Sequence, residues 1–221
     1  PIFGGIPFML AATEGESWEH RLSEVMSQWQ GAFSLVILSG TKVIGCRDPW
    51  GFRPLSLGRL PSGGHVVASE TGALQTLGCE AVREVEPGEI VVLQGSIART
   101  HQAVPPKAEL ARCTFEHIYF SRPDATWDGL SVHQARQHLG EELAREHPAE
   151  ADVVIPVPDS SVPAAIGFAN VTGIPYSEGF VKNRYIGRTF IEPTDELRRQ
   201  GVALKFNTLP ENIAGRRVVV V

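Results

Sequence analysis

The sequence predicts two modules, an antiparallel α+β part followed by a parallel α/β part. Three observations carry this. Strand-like runs joined by short Gly-containing turns fill the first hundred residues, a proline-broken stretch follows, and helical segments then alternate with short continuous apolar runs. Ser17 to Trp29 reads as the first helix. Trp18, Leu22, Val25, Met26 and Trp29 share one face, Ser17 can cap it and Gly31 ends it. Ala32–Leu38 and Lys42–Cys46, joined by Ser39-Gly40-Thr41, read as a hairpin. Pro54–Gly58, His65–Ala68 and Glu89–Leu93 are further strands, and Glu70–Thr76 is a short helix.

Periodicity lapses over His101–Arg112, where Pro105-Pro106 can continue neither helix nor strand, so a linker is placed there. Beyond it, Ser131 and Gln134 spell a capping box for a helix whose face is Val132, Ala135, Leu139 and Leu143. Asp152–Val157 is the continuous apolar run of a buried parallel strand. Val162–Asn170 is a helix, and Gly173–Tyr176 and Arg217–Val221 are strands.

Composition narrows the function classes. Of 221 residues 43% are hydrophobic and 20% charged, which excludes a disordered chain. No apolar run approaches the ~18 residues of a membrane span. Three widely spaced cysteines, Cys46, Cys79 and Cys113, do not make a disulfide framework, so a reducing cytosol is expected. The start has no basic segment of the signal-peptide kind. A net charge of −5 argues against nucleic acid. The charge is uneven, however. Residues 182–217 carry eight Lys/Arg against four Asp/Glu, leaving 12 basic and 21 acidic residues elsewhere. A basic patch on an acidic chain points to a small anionic ligand.

Four segments could carry chemistry. Pro158-Asp159-Ser160-Ser161 lies between a buried strand and a helix, where free amides suit a phosphate or a hydrated metal ion. The alternative is that the acid or a serine only caps the helix. Lys182-Asn183-Arg184-Tyr185-Ile186-Gly187-Arg188 holds three cations in seven residues without periodicity, which is either a solvated surface or an anion clamp; the local charge excess favours the clamp, and Lys205 can extend it. Arg47–Leu55 joins two strands as a turn held by a buried Arg–Asp pair, with a substrate-tunnel lining as the second reading. Cys113 by itself reads as a small buried hydrophobe. No zinc spacing, Walker A loop or Gly-x-Ser-x-Gly elbow occurs.

Taken in order, the Arg47–Leu55 turn, Pro156-Val157-Pro158-Asp159-Ser160-Ser161 and Lys182–Phe190 resemble glutamine phosphoribosylpyrophosphate amidotransferases, from about Arg21 to Val221. The family makes phosphoribosylamine from glutamine and phosphoribosyl pyrophosphate, opening purine synthesis. The resemblance implies that residues 1–100 are the C-terminal part of a glutaminase domain, an N-terminal-nucleophile αββα sandwich. Residues 101–112 would be a linker, and 113–221 would begin a type I phosphoribosyltransferase sheet. It also implies that Ser160 helps bind Mg²⁺. Lys182, Arg184, Tyr185, Arg188 and Lys205 would bind substrate and purine-nucleotide inhibitors, and Cys113 would be the first ligand of a four-iron, four-sulfur cluster. The intact enzyme would be a cytosolic homo-oligomer binding neither nucleic acid nor membrane.

Both ends depart from the family pattern. The cysteine nucleophile, the Asp-Asp-Ser segment and the diphosphate loop are missing, so the chain reads as a fragment, inactive alone and with no catalytic residue of its own. A non-catalytic sensor that holds a sugar phosphate or nucleotide on Lys182–Phe190 is the alternative. Pro1–Pro7 receives no role.

Overall fold

Capping and an apolar face together make the first helix. In the computed structural model, which describes residues 5, 9–15, 17–187 and 192–221, α1 (Trp18–Met26) begins where the Ser17 hydroxyl accepts from the His20 amide at 3.2 Å. Leu22, Val25 and Met26 point inward. Trp29 lies past the helix end but joins the same core, edge-on to Phe33 with centroids 5.0 Å apart.

The chain divides into two units, Pro1–Val132 and His133–Val221. In the first, β1 (Ser34–Ser39) and β2 (Lys42–Arg47) form the expected hairpin. β3 (Ser56–Arg59), β4 (His65–Ala68) and β5 (Ala81–Glu84) make a second antiparallel sheet in the order β4-β3-β5. β6 (Glu89–Gln94) and β7 (Ile97–Gln102) complete the first as β1-β2-β6-β7. Alternation along β6 sets the layers. Ile90 and Val92 pack with α1, whereas Val91 and Leu93 pack with Leu55 and Leu57 of the second sheet segment. The far side of that sheet carries α2 (Thr71–Thr76): a Cβ on Gly58 would lie 3.2 Å from Leu74 Cδ2. Helix, sheet, sheet, helix is the sandwich the family resemblance implied.

Several elements of this unit were not anticipated. β5 and β7 are mostly exposed, so they lack an apolar pattern; β7 takes His101 and Gln102 from the expected linker. A single wide helical turn spans Glu116–Phe120. β8 (Thr126–Trp127) and β9 (Leu130–Ser131) form a small hairpin on Asp128-Gly129, both at positive φ, as a tight Asp-Gly turn requires. The chain after β7 follows the 49–52 turn: the Lys107, Ala111 and Cys113 amides donate to the carbonyls of Pro49, Trp50 and Phe52. Residues 113–132 thus pack in the first unit.

Cys46 is enclosed in this core, and burial pushes its thiol up to about 12. The fold holds the protonated form. Its contribution is therefore whole below the ordinary thiol value of 9.0 and is lost as pH climbs towards about 12. Iodoacetamide at pH 8 should label Cys79 and Cys113 and spare Cys46 until urea unfolds the chain. Mass spectrometry showing Cys46 labelled at the same rate as the other two would contradict this.

The second unit opens with α3 (Val132–Glu146), followed by β10 (Val153–Ile155), buried throughout, and α4 (Val162–Thr172), closed by Gly173 at φ 72°. After β11 (Phe180–Lys182) come α5 (Asp195–Lys205), β12 (Phe206–Thr208), α6 (Pro210–Ile213) and β13 (Val218–Val220). β10 and β13 are parallel, and Val154 bridges Tyr176 in the same sense, as the expected parallel sheet requires. The expected face of α3 is rotated, however. The buried stripe is Val132, Arg136, Gly140 and Ala144, while Leu139 and Leu143 are exposed. The reason is close helix approach: a Cβ on Gly140 would sit 1.9 Å from the Ala164 carbonyl oxygen, and one on Gly167 2.0 Å from that of Gln137. Among the described residues no helix is long and apolar enough to cross a membrane.

Candidate functional site

The C-terminal ends of β10 and β13 set the site. The Val157 amide donates to Val221 O at 2.8 Å and the Val221 amide to Ile155 O at 3.0 Å, so the turn from Pro156 to Ser161 leaves the sheet beside the end of β13. Ser161 is the N-cap of α4 but makes no side-chain cap bond. Its hydroxyl instead reaches Val157 O at 2.7 Å and Val221 O at 2.6 Å, tying the turn to the strand. The plain-cap reading of that serine therefore fails, because its oxygen accepts from no amide of the first turn. Ser160 is half-buried on the same turn.

The basic segment comes to this turn through β11. Gly179 lies where a Cβ would be 2.4 Å from Ile155 Cδ1, so a larger residue there would have to push the Ile155 side chain aside. Three residues on, Lys182 Nζ meets Asp159 Oδ2 at 2.7 Å. β12 pairs antiparallel with β11, placing Phe206 opposite Lys182, and the Asn183 amide donates to Lys205 O at 2.7 Å. Beyond Lys182 the chain turns. Asn183 Oδ1 accepts from the Tyr185 amide at 3.0 Å, and the Ile186 amide donates to Asn183 O at 3.3 Å. Lys205 Nζ donates to Gly187 O at 3.0 Å and lies 5.8 Å from the Phe206 ring.

Lys182 and Lys205 are thus brought to neighbouring positions, with Ser160 beside Asp159. Arg184 and Tyr185 project from the turn into solvent, Tyr185 almost wholly exposed. Arg188 lies outside the described residues, as do Thr189 and Phe190. Asp159 was seen in the sequence only as a cap; its role as partner of Lys182 could be read from no local pattern, since 23 residues separate them. α5 was also unforeseen, although Thr194 caps it by accepting from the Leu197 amide and Asp195 and Glu196 occupy its first turn. No residue of α5 is buried, so it shows no apolar face.

The Arg47–Leu55 turn is structural, but not as an Arg–Asp pair. Asp48 accepts from the amides of Phe33, Trp50 and Phe52, whereas Arg47 donates to the carbonyls of Arg53, Val85 and Gly51 and pairs with Glu84. Two buried charges hold one turn from opposite sides. Arg53 in turn pairs with the buried Glu116 at 2.7 Å.

Cys113 is half-buried, with its amide on Phe52 O and its carbonyl accepting from the Glu116 amide. Among the described residues no group of three or more His, Cys, Asp or Glu is placed to hold a metal ion. A cubane cluster takes four thiolates. Here Cys46 is sealed in the core and Cys79 packs at Gly58, so these residues do not by themselves fit the cluster.

A layered α+β unit followed by a parallel α/β unit, with Lys182 of β11 held against the turn after β10, defines a two-part α/β protein. Sequence comparison places this chain among homologues of the amidophosphoribosyltransferases. It is 44% identical to that of Synechococcus elongatus over 217 residues, 96% of this chain and 44% of the relative. With that of Methanothermobacter thermautotrophicus it shares 47% over 202 residues, 91% of this chain and 42% of the relative. The solved glutamine phosphoribosylpyrophosphate amidotransferase from B. subtilis, complexed with ADP and GMP, superposes with a TM-score of 0.84 at 41% identity, covering 97% of this chain and 47% of that one. A structure described as the allosteric regulatory enzyme of purine biosynthesis gives 0.83 at 42%, covering 97% and 46%. No family model matches. The chain spans less than half the length of these relatives.

Proposed function

We propose that this chain belongs to a cytosolic, homo-oligomeric amidophosphoribosyltransferase that makes 5-phosphoribosylamine from glutamine and phosphoribosyl pyrophosphate, and that its second unit supplies part of the sugar-phosphate site. On this reading the first unit is the C-terminal part of the glutaminase domain, with the linker near 101–112, and the residues after 113 lead into the transferase domain. The observation that carries it is the meeting of Lys182, at the end of β11 where the basic segment begins, with the Asp159-Ser160 turn at the end of β10.

The chemistry follows from charge. Diphosphate leaves the anomeric carbon as ammonia attacks, so negative charge grows on the leaving group. Lys182, Arg184 and Lys205 lower that cost, as does Arg188, and arginine's planar fork suits two phosphate oxygens at once. Tyr185, solvent-facing on the same turn, is read as a contact to the nucleotide or sugar. Mg²⁺ would come with the diphosphate, since this ion keeps waters and takes few protein ligands. The Ser160 hydroxyl is a fitting oxygen donor for it. Bound there, the ion would screen the phosphate charges. Purine nucleotides would suit the same basic segment, in keeping with the ADP and GMP of the B. subtilis homologue. Cys113 can give one thiolate to a four-iron, four-sulfur cluster only if the other ligands come from outside this chain.

Calorimetry tests the site. Lys182→Ala and Arg184→Ala should each weaken phosphoribosyl pyrophosphate binding about tenfold, the loss of one charge-assisted contact. In a full-length protein containing the chain the same changes should lower phosphoribosylamine formation. Unaltered binding and turnover in both variants would overturn the reading.

A further inference from the structure

We propose that Asp159 is a built-in counter-ion that filters what Lys182 will bind: its carboxylate occupies the lysine until a multiply charged phosphate ligand displaces it. The proposal rests on the sugar-phosphate reading above, and its own observation is the 2.7 Å contact between Lys182 Nζ and Asp159 Oδ2. The two partners differ in freedom. Lys182 belongs to a paired strand, opposite Phe206, and its side chain is 27% exposed. Asp159 sits on a turn and its side chain is 76% exposed. The lysine is therefore the fixed partner, and the carboxylate is the one that can swing into water.

Among the described residues, the neighbouring cations do not compete for Asp159. Lys205 is turned to the Gly187 carbonyl and the Phe206 ring, and Arg184 is in solvent. An exposed pair of this kind is weak, so it is cheap to break. It still sets a threshold. A single carboxylate or chloride gains nothing by replacing Asp159, because it brings the same charge and loses its own water. A diphosphate brings more charge and can span Lys182 and the cations beside it. Asp159 is thus a specificity-determining residue for polyphosphate over singly charged anions.

The test is titration of inorganic pyrophosphate into the 221-residue chain, with EDTA and at low ionic strength. Asp159→Asn should bind about three- to tenfold tighter than the parent, and should also gain measurable affinity for acetate. The gain should vanish when Lys182→Ala is added. Equal or weaker pyrophosphate binding by Asp159→Asn, with Lys182→Ala still costing affinity, overturns the counter-ion role and leaves the sugar-phosphate site standing. Parent-like binding by Lys182→Ala overturns both.

Discussion

Arg47→Ala is expected to lower the stability of the chain by about 3–5 kcal/mol, the range for stripping one partner from a buried charge network. The guanidinium is 1% exposed. It donates to Val85 O at 2.7 Å, Arg53 O at 2.9 Å and Gly51 O at 3.1 Å, and reaches Glu84 Oε2 at 3.2 Å. Its removal strips the guanidinium donor from the Val85 and Gly51 carbonyls, leaves Arg53 O with Ser34 Oγ alone and takes the cation from the Glu84 carboxylate. Because Arg53 and the 49–52 carbonyls in turn hold Glu116 and the chain from Lys107 to Cys113, loosening should spread to those residues. Arg47→Lys should recover only part of the loss, since one ammonium cannot serve four acceptors in a fork. Urea unfolding followed by tryptophan fluorescence reads the effect. An alanine variant within 1 kcal/mol of the parent would show that water replaces the guanidinium at little cost.

Gly167→Val should cost about 3 kcal/mol or more, through the second unit. Valine at a helix centre costs little in propensity, and alanine there normally gains up to about 1 kcal/mol over glycine. Here the sign should reverse even for alanine. A Cβ at 167 would lie 2.0 Å from the Gln137 carbonyl oxygen, and one at 140 would lie 1.9 Å from that of Ala164. Both obstacles are backbone, so relief requires α3 and α4 to part, and the Ala165, Phe168 and Ala169 packing goes with them. Once one glycine is replaced the helices are already apart. Gly140→Ala in the Gly167→Ala background should therefore cost less than it does alone, a non-additivity that a double-mutant cycle measures. Helix-stabilising behaviour by either single alanine would mean that the crossing is looser than these distances require.

What could be read directly was local. Ser17 with its apolar face gave the first helix, the Gly40 turn gave the hairpin, and Val153–Ile155 announced a strand buried on both faces. Period-2 and period-3.6 patterns exist because a half-buried element must match its own geometry to the core. The exposed elements escaped for the same reason: β5, β7 and α5 bury too little to leave a pattern. The face of α3 was misjudged because glycine carries no hydrophobic signal, yet two glycines decided which side meets α4.

The site divides in the same way. Its residue types were legible, because a run of lysine and arginine in an acidic chain and a serine turn after an apolar strand are both local facts. Which groups meet was not. Arg47 with Glu84, Arg53 with Glu116 and Lys182 with Asp159 are separated in sequence by far more than any turn, and each pairing is set by how strands register and where a glycine lets backbone pass. The sequence by itself determined which segments could fold and where cations gather. Tertiary packing alone chose each charge's partner, since an ion pair depends on a few ångströms that no local pattern encodes.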